Sequence, residues 1–378
     1  MITGIICEYN PLHKGHQKQI NRIKSEDPLG TIVCLMSGNF VQRGHPAIFH
    51  RSLRTHAALE AGADLILELP ITYALSSAEG FASGGVSVLS QICDQLCFGA
   101  EAPDSAILYN LAKSLCSAEF SQQLRPQLDK GLSFPVARQL ALEAMGVDST
   151  PLASPNNILA VEYCKAIISQ NSKLHPYAIY REGDYHAQTA DLENPSATAL
   201  RQLISEGNAW EDYVPAPELF KNASMHHLQM GERAILARLR TMSDLDFEAL
   251  PYGSEGLWRK LMHASRSKGT LEEIVTAVKS KRYTRSRLDR MIMCAFLGIT
   301  KTDLQSPAPY VRILGFNQKG RQLLNEAKKE TQFINIGQPT ENPYEILERR
   351  CDDLYGLFCQ QAPGQAGAWT QERVIYQK

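Results

Sequence analysis

The first hundred residues alternate between short apolar runs and amphipathic stretches. ITGIIC (2–7), TIVCLM (31–36), DLILELP (64–70) and DQLCFGAE (94–101) are apolar, rich in β-branched and other large side chains, and bounded by turn residues. That is the pattern of strands buried on both faces. Between them, HKGHQKQINRIKS (13–25), RSLRTHAALEAG (51–62) and SSAEGFASGGVSVLSQI (76–92) read as helices. Strand–helix alternation at this spacing predicts right-handed βαβ units, and therefore an α/β fold with a parallel sheet covered on both sides. Ligands in such sheets sit beyond the carboxyl ends of the strands. Residues 8–16, 37–43 and 98–101 are thereby grouped around one crevice. Residues 104–170 read as helical, PYAIY (176–180) as a further strand, and ENPSATALRQLISEG (193–207) as a capped helix ending at Gly207. WEDYVPAPELF (210–220) reads as a linker. Everything beyond it reads as mostly helical, up to a Gly/Pro-rich stretch, QQAPGQAGAW (360–369).

The chain has 378 residues, which suits two domains: residues 1–210 with the sheet, and residues 211–378, mostly α-helical. No apolar run is long enough for a membrane span, and the first ten residues lack the basic region of a signal peptide. Nine cysteines without a CxxC pair predict reduced thiols in a cytoplasmic protein rather than a zinc ribbon. The net charge of −1 conceals an asymmetry. Residues 1–215 hold 15 Lys and Arg against 22 Asp and Glu, and residues 216–378 hold 24 against 18. The basic excess concentrates in residues 259–290, which contain Arg259, Lys260, Lys281, Arg282, Arg285 and Arg287, with Trp258 and Tyr283 interleaved. Cations for phosphates and aromatic rings for unpaired bases are what an RNA-binding surface needs.

Two motifs bear chemistry. The first, ICEYNPLHKGH, ends a strand with an Asn10-Pro11 turn and opens a helix with His13 and His16. Their i, i+3 spacing puts both imidazoles on one helix face. The helix N-terminus adds free N–H groups and the positive end of the dipole. Together these suit a phosphate better than a metal, because no third ligand at zinc spacing accompanies them. Gly15 offers bare backbone against which a flat group such as a base could lie. The second motif is SATALR. Ser196 can cap a helix, Thr198 lies in its first turn, and Arg201 follows one turn later. Hydroxyls, a helix N-terminus and a guanidinium can hold phosphates and neutralise a leaving pyrophosphate.

A strand, an HxGH turn and a distal Ser-x-Thr-x-x-Arg helix resemble the HIGH-signature nucleotidyltransferase superfamily and its Rossmann-like sheet. EYNPLHKGH, MSGNFVQRG, DLILELP, CFGAE, SPNNILAVEY and SATALR, in that order, resemble the tRNA(Met) cytidine acetate ligases more specifically. PYGSEGLWRKL and VRILGFNQKGRQLL extend the resemblance into the basic half.

The resemblance implies a two-step reaction. ATP and acetate form acetyl-adenylate and diphosphate; the N4 amine of the wobble cytidine of elongator tRNA(Met) then takes the acetyl group and releases AMP. It implies catalytic roles for His13, His16, Thr198 and Arg201. It also implies an ATP site made of residues 6–16 (Ile6, Cys7, Glu8, Tyr9, Asn10, Pro11, Leu12, His13, Lys14, Gly15 and His16) together with Gly99, Arg181, Ser196 and one of Asn156 and Asn157. Mg²⁺ would arrive with the ATP, bridging its phosphates, with no metal held by the protein itself. Ser37–Phe40, Gln42 and Arg43 could line the acetate or cytidine side, and Glu8 could orient a histidine or hold Mg²⁺. No membrane association is expected, and the sequence allows no stable protein partner to be inferred. Two alternatives share parts of this pattern: an adenylyltransferase acting on a small phosphorylated metabolite, and a non-catalytic, nucleotide-sensing RNA-binding adaptor.

Overall fold

The computed structural model describes residues 1–102, 104–181, 195–280, 282–327, 332–361 and 371–377. Ten strands occur among them. They are β1 (Ile2–Cys7), β2 (Thr31–Ser37), β3 (Phe40–Val41), β4 (His45–Pro46), β5 (Leu65–Leu69), β6 (Gln95–Ala100), β7 (His175–Tyr180), β8 (Val311–Phe316), β9 (Phe333–Asn335) and β10 (Ile375–Tyr376). The main sheet runs β10-β8-β5-β2-β1-β6-β7, with β9 also paired to β8. From β5 to β7 every pairing is parallel. β8 joins β5 antiparallel, and β9 and β10 run parallel to β8.

The five strands read from the first 180 residues are present, each within a residue or two of its expected bounds. The sheet also draws β8, β9 and β10 from beyond residue 210, where the pattern reads as mostly helical. VRILGF is a six-residue apolar run, and hydrophobic periodicity alone does not separate a buried strand from a piece of helix. The stretch 362–370, most of the Gly/Pro-rich segment, lies outside the described residues.

Side-chain alternation along the strands builds two apolar layers. Val33, Leu35, Leu65 and Leu67 face the helices Ala78–Leu89 and Pro155–Ser169. Ile32, Cys34, Met36 and Ile66 face the opposite layer, which contains Ile20 and Ile23 of the Lys14–Glu26 helix, Ala57 and Ala58 of Arg51–Glu60, and Leu200 and Ile204 of Ala197–Ser205. A third apolar cluster holds the helices between residues 232 and 297 and the Pro343–Tyr355 helix together around Arg285–Leu297, which is buried from Leu288 to Leu297, whereas Gln318–Ala327 packs with the first sheet layer. Among the described residues no helix is long and apolar enough to cross a membrane. Seven of the nine cysteines are buried.

A cluster of buried charges fastens these parts together. Arg51, 2% exposed, donates to Glu68 of β5 at 3.0 Å, to Asp352 of the Pro343–Tyr355 helix at 2.6 and 2.7 Å, and to Glu372 at 2.6 and 3.1 Å. Arg312 of β8 pairs with Glu348 at 3.0 Å, and Tyr310 donates to the same carboxylate at 2.7 Å. Burial raises the Glu372 carboxyl, but the charge and hydrogen bonds of Arg51 outweigh it and hold the group below its ordinary value.

Candidate active site

A crevice of about 940 Å³ opens at the carboxyl ends of β1, β6 and β7. The chain leaves β1 through Tyr9 in the left-handed region (φ 45°) and crosses a cis Asn10-Pro11 peptide to reach the Lys14–Glu26 helix. The turn is held from several sides. Asn10 Oδ1 accepts the Ile48 N–H at 2.8 Å, and the Glu8 carboxylate accepts the Gln42 N–H at 2.7 Å. Arg54, fully buried, donates to the carbonyls of Glu8 at 2.7 Å, Ser37 at 3.0 Å and Gly38. The ends of β1 and β2 are thus fixed by one guanidinium that sequence reasoning did not single out. Nothing in RSLRTH separates Arg54 from a solvated helix face until the fold buries it.

His13 is the helix N-cap. Its Nδ1 accepts the Gly15 N–H at 3.1 Å, and its own N–H donates to His16 Nδ1 at 3.3 Å. The two rings stack, with centroids 3.7 Å apart and planes at 21°. Burial first, then His16, Arg181 and Arg201, hold His13 well below the usual imidazole value. Burial and then Arg181 bring His16 down to about 3. Both rings are therefore neutral at pH 7. Since each Nδ1 is an acceptor, each proton resides on Nε2. The pair thereby becomes two fixed N–H donors at a helix N-terminus.

A Cβ at Gly15 would meet His13 Cε1 at 3.0 Å and Nδ1 at 3.1 Å. The bare backbone expected to receive a base is packed instead by the His13 ring. At Gly99 the nearest atom to a Cβ would be Arg181 Cδ at 3.8 Å, so the space it leaves belongs to the crevice.

The second motif lies across the crevice. Ser196 caps the Ala197–Ser205 helix, accepting the Ala199 N–H at 3.1 Å. Arg201 donates to the Asn10 carbonyl at 2.8 Å and to the Thr198 hydroxyl at 3.2 Å, which ties the two motifs directly. Arg181 follows β7, its N–H bonded to the Ala100 carbonyl at 2.8 Å. Ile6, Cys7, Glu8, Tyr9, Asn10, His13, Gly15, His16, Gly99, Asn156, Arg181, Ser196, Thr198 and Arg201 all line the crevice.

Ser37, Gly38, Asn39 and Phe40, expected on the acetate or cytidine side, are buried and do not line the crevice, with Asn39 turned to Asp352 and to the Arg51 N–H, whereas Gln42 and Arg43 do line it. Four positions expected at the ATP site do not line it either. Pro11 and Leu12 are buried beneath the turn, Lys14 is exposed on the helix, and Asn157 is turned inward. The Asn157 side-chain oxygen accepts the Glu101 and Ala102 N–H groups at 2.9 and 3.0 Å. Asn156 faces the crevice, with its amide donating to Glu101 at 2.7 Å. Glu8 is committed to the Gln42 N–H rather than to a histidine. Among the described residues no group of three His, Cys, Asp or Glu could hold a metal ion.

The β3–β4 hairpin forms another wall, through Gln42, Arg43 and His45. Gly44 at its turn has φ 80°, and a Cβ there would meet the backbone of Asp289 and Arg290 at 2.5 Å. The hairpin is therefore pressed against the Arg285–Leu297 helix. The basic surface lies on and around that helix. Arg282 pairs with Glu255 at 2.5 Å, and Arg285 pairs with Glu272 at 2.7 Å. Arg287 donates to the Tyr252 carbonyl at 2.7 and 3.1 Å. Arg259 lies over Trp258, and both Lys260 and Arg287 lie over Tyr283. Tyr283 is only 5% exposed, so its ring stacks on these cations and is not open to an unpaired base. Lys281 lies outside the described residues.

Residues 1–367 match the profile of the HIGH Nucleotidyl Transferase family. A tRNA(Met) cytidine acetate ligase of Clostridium novyi (strain NT) is 39% identical over 352 residues, covering 87% of this chain and 88% of that one. One from Acetivibrio thermocellus is 35% identical, covering 99% of both. Two crystal structures of Thermotoga maritima TmcAL, one apo and one bound with alpha-thio ATP, superpose with TM-scores of 0.90 and 0.88 at 27% identity, covering the whole of each chain.

Proposed function

The chain belongs to the HIGH nucleotidyl transferase family, among the tRNA(Met) cytidine acetate ligases, and from that premise we propose that it activates acetate with ATP and acetylates a tRNA wobble cytidine. The observation that carries the reading is the stacked, neutral His13–His16 pair, facing a crevice that Arg181 and Arg201 also line.

A carboxylate oxygen of acetate attacks the α-phosphorus of ATP, the bond to the β-phosphate oxygen breaks, and diphosphate leaves. No base is needed, because acetate is already ionised. What the step needs is stabilisation of charge gathering on the phosphate chain. The Nε2–H groups of His13 and His16 supply two preset donors, and Arg181 and Arg201 supply positive charge. The Ala197–Ser205 helix directs its N-terminus, capped by Ser196, at the same place, and Thr198 holds the Arg201 guanidinium. Gly99 and Asn156 lie where the nucleoside would extend. Mg²⁺ enters with ATP, held by phosphates and water, and neutralises part of their charge.

In the second step the cytidine N4 attacks the acetyl carbonyl and AMP leaves. The basic residues Arg259, Lys260, Lys281, Arg282, Arg285 and Arg287, in the mostly helical part from residue 211, hold tRNA phosphates. This division at residue 210 concerns function; the sheet itself is shared. Acetate-dependent ATP–pyrophosphate exchange, followed by mass analysis of the wobble cytidine, tests the reading. His16→Ala should lower exchange by about two orders of magnitude through loss of one preset donor, while tRNA affinity stays near wild type. No acetate-stimulated exchange and no N4-acetylcytidine with the intact protein would refute it.

A further inference from the structure

The transfer step raises a demand that the phosphate site does not meet. When N4 attacks the acetyl carbonyl, the N4–C bond forms and the bond from carbonyl carbon to AMP oxygen breaks, its electron pair leaving with AMP. The nitrogen must also lose a proton, and His13 and His16 cannot take it. Their Nδ1 atoms are occupied by backbone N–H groups and their Nε2 atoms already carry protons.

Among the described residues the crevice has one further histidine, His45, on β4 of the hairpin. Its side chain is 41% exposed, but Nε2 is shut off from solvent and makes no hydrogen bond in this structure; a carboxylate oxygen of Asp289 lies 3.5 Å from it, close enough for a small ring rotation to join them. Asp289 is 9% exposed at its side chain and belongs to the Arg285–Leu297 helix. An imidazole whose inner nitrogen faces a buried carboxylate keeps its proton on that side and presents the other nitrogen as a base. With Nε2 turned to Asp289, Nδ1 is the nitrogen left for the crevice. The pairing is rigid: Gly44 seats the hairpin turn on the backbone of Asp289 and Arg290, and Arg290 reaches the Gln42 carbonyl at 3.5 Å. The charged groups around this pair are Arg285, 3.5 Å from the Asp289 carboxylate, and Arg290 on the same helix, while Arg43 of the hairpin lines the crevice.

We propose that His45, oriented by Asp289, is the general base of acetyl transfer: its Nδ1 takes the N4 proton and later releases it to water. His45 would be a catalytic residue and Asp289 a positioning residue. The arrangement also places the base on the one wall of the crevice that rests on the basic helix, so the tRNA-facing element and the proton acceptor are a single packed unit.

The inference rests on the ligase reading, and the test separates the two. Enzyme is loaded with acetate and ATP, then mixed with tRNA(Met) transcript, and single-turnover formation of N4-acetylcytidine is followed across the pH range in which an imidazole titrates. His45→Gln and His45→Ala should both slow transfer about 100-fold and abolish the acid limb of the profile, while acetate-dependent exchange stays within about twofold. Asp289→Asn should slow transfer about tenfold while exchange stays within about twofold and an acid limb remains, because the imidazole keeps its base but loses the carboxylate that orients it. Wild-type transfer by H45Q overturns the proposal. So does H45Q working far better than H45A, since glutamine hydrogen-bonds but takes no proton. Equal loss of exchange and transfer in H45Q would also overturn it, as a structural role. If the intact protein makes no N4-acetylcytidine at all, the ligase reading itself has failed.

Discussion

Gly15→Ala isolates what the HxGH glycine is for. The added methyl would sit 3.0 Å from His13 Cε1 and 3.1 Å from Nδ1, and ordinary contact requires several tenths of an ångström more. The His13 ring must yield, because the other side of the methyl is helix. Its bond from the Gly15 N–H, now 3.1 Å, lengthens beyond use, and a lost N-cap contact costs about 1 kcal/mol. Alanine's better helix propensity returns up to about 1 kcal/mol, so global stability should change little. Catalysis should not be so forgiving. A displacement of about 0.5 Å is already at the tolerance of a preorganised site, and exchange should fall by about 10- to 100-fold in kcat. The assay is acetate-dependent ATP–pyrophosphate exchange over a range of ATP concentrations, alongside a urea melt. A raised KM for ATP with unchanged kcat would mean that the ligand, not His13, packs on Gly15, and the argument from ring contact would fail.

Arg51→Met should cost about 3–5 kcal/mol at pH 7, because Glu68, Asp352 and Glu372 keep buried charges without their shared partner; a urea-melt change under 1 kcal/mol would contradict this. Arg282→Glu combined with Arg285→Glu should weaken tRNA binding and lower the log–log salt slope by about two, leaving exchange intact. Their present partners, Glu255 and Glu272, are exposed enough to be exchanged for phosphate, and an unchanged slope in a filter-binding titration would remove these residues from the interface. Acid should destabilise the fold from about pH 6.5 downward. His226, 8% exposed and stacked on Tyr355 at 3.9 Å, is brought down to about 4 by burial and then by His50. Its folded value lies below the unfolded one, so the unfolded chain takes up a proton that the folded chain refuses. Stability is full above pH 6.5 and should fall by about 2 kcal/mol for this group by pH 5. His226→Gln should flatten that part of a stability–pH curve, and an unaltered curve would count against it.

The parts of the site that the sequence makes legible are those whose chemistry and local structure coincide. His13 and His16 are donors and also cap a helix, and Ser196 likewise caps one, so spacing alone marks them. Strands β1, β2, β5, β6 and β7 show because each is a β-branched or large-apolar run between helical stretches. What stays hidden depends on distant partners. Arg54 reads as a surface cation until the carbonyls of Glu8, Ser37 and Gly38 surround it. Which of Asn156 and Asn157 faces the crevice depends on Glu101, more than fifty residues away. Tyr283 reads as a stacking platform because sequence shows its cationic neighbours but not that they cover it. His45 gains meaning only from Asp289, which the hairpin brings within 3.5 Å.

The antiparallel seating of β8 on β5 has a consequence for synthesis. A ribosome delivers β1, β2, β5, β6 and β7 long before Val311–Phe316 emerges. Until then Leu65–Leu69 is an apolar sheet edge with open backbone groups, and Arg51 waits for Asp352 and Glu372. An exposed apolar edge is a template for pairing with other chains. A chain halted between residues 210 and 310 therefore holds every residue that lines the crevice and yet exposes an adhesive sheet edge, so the late segment protects the enzyme from its neighbours rather than supplying its chemistry.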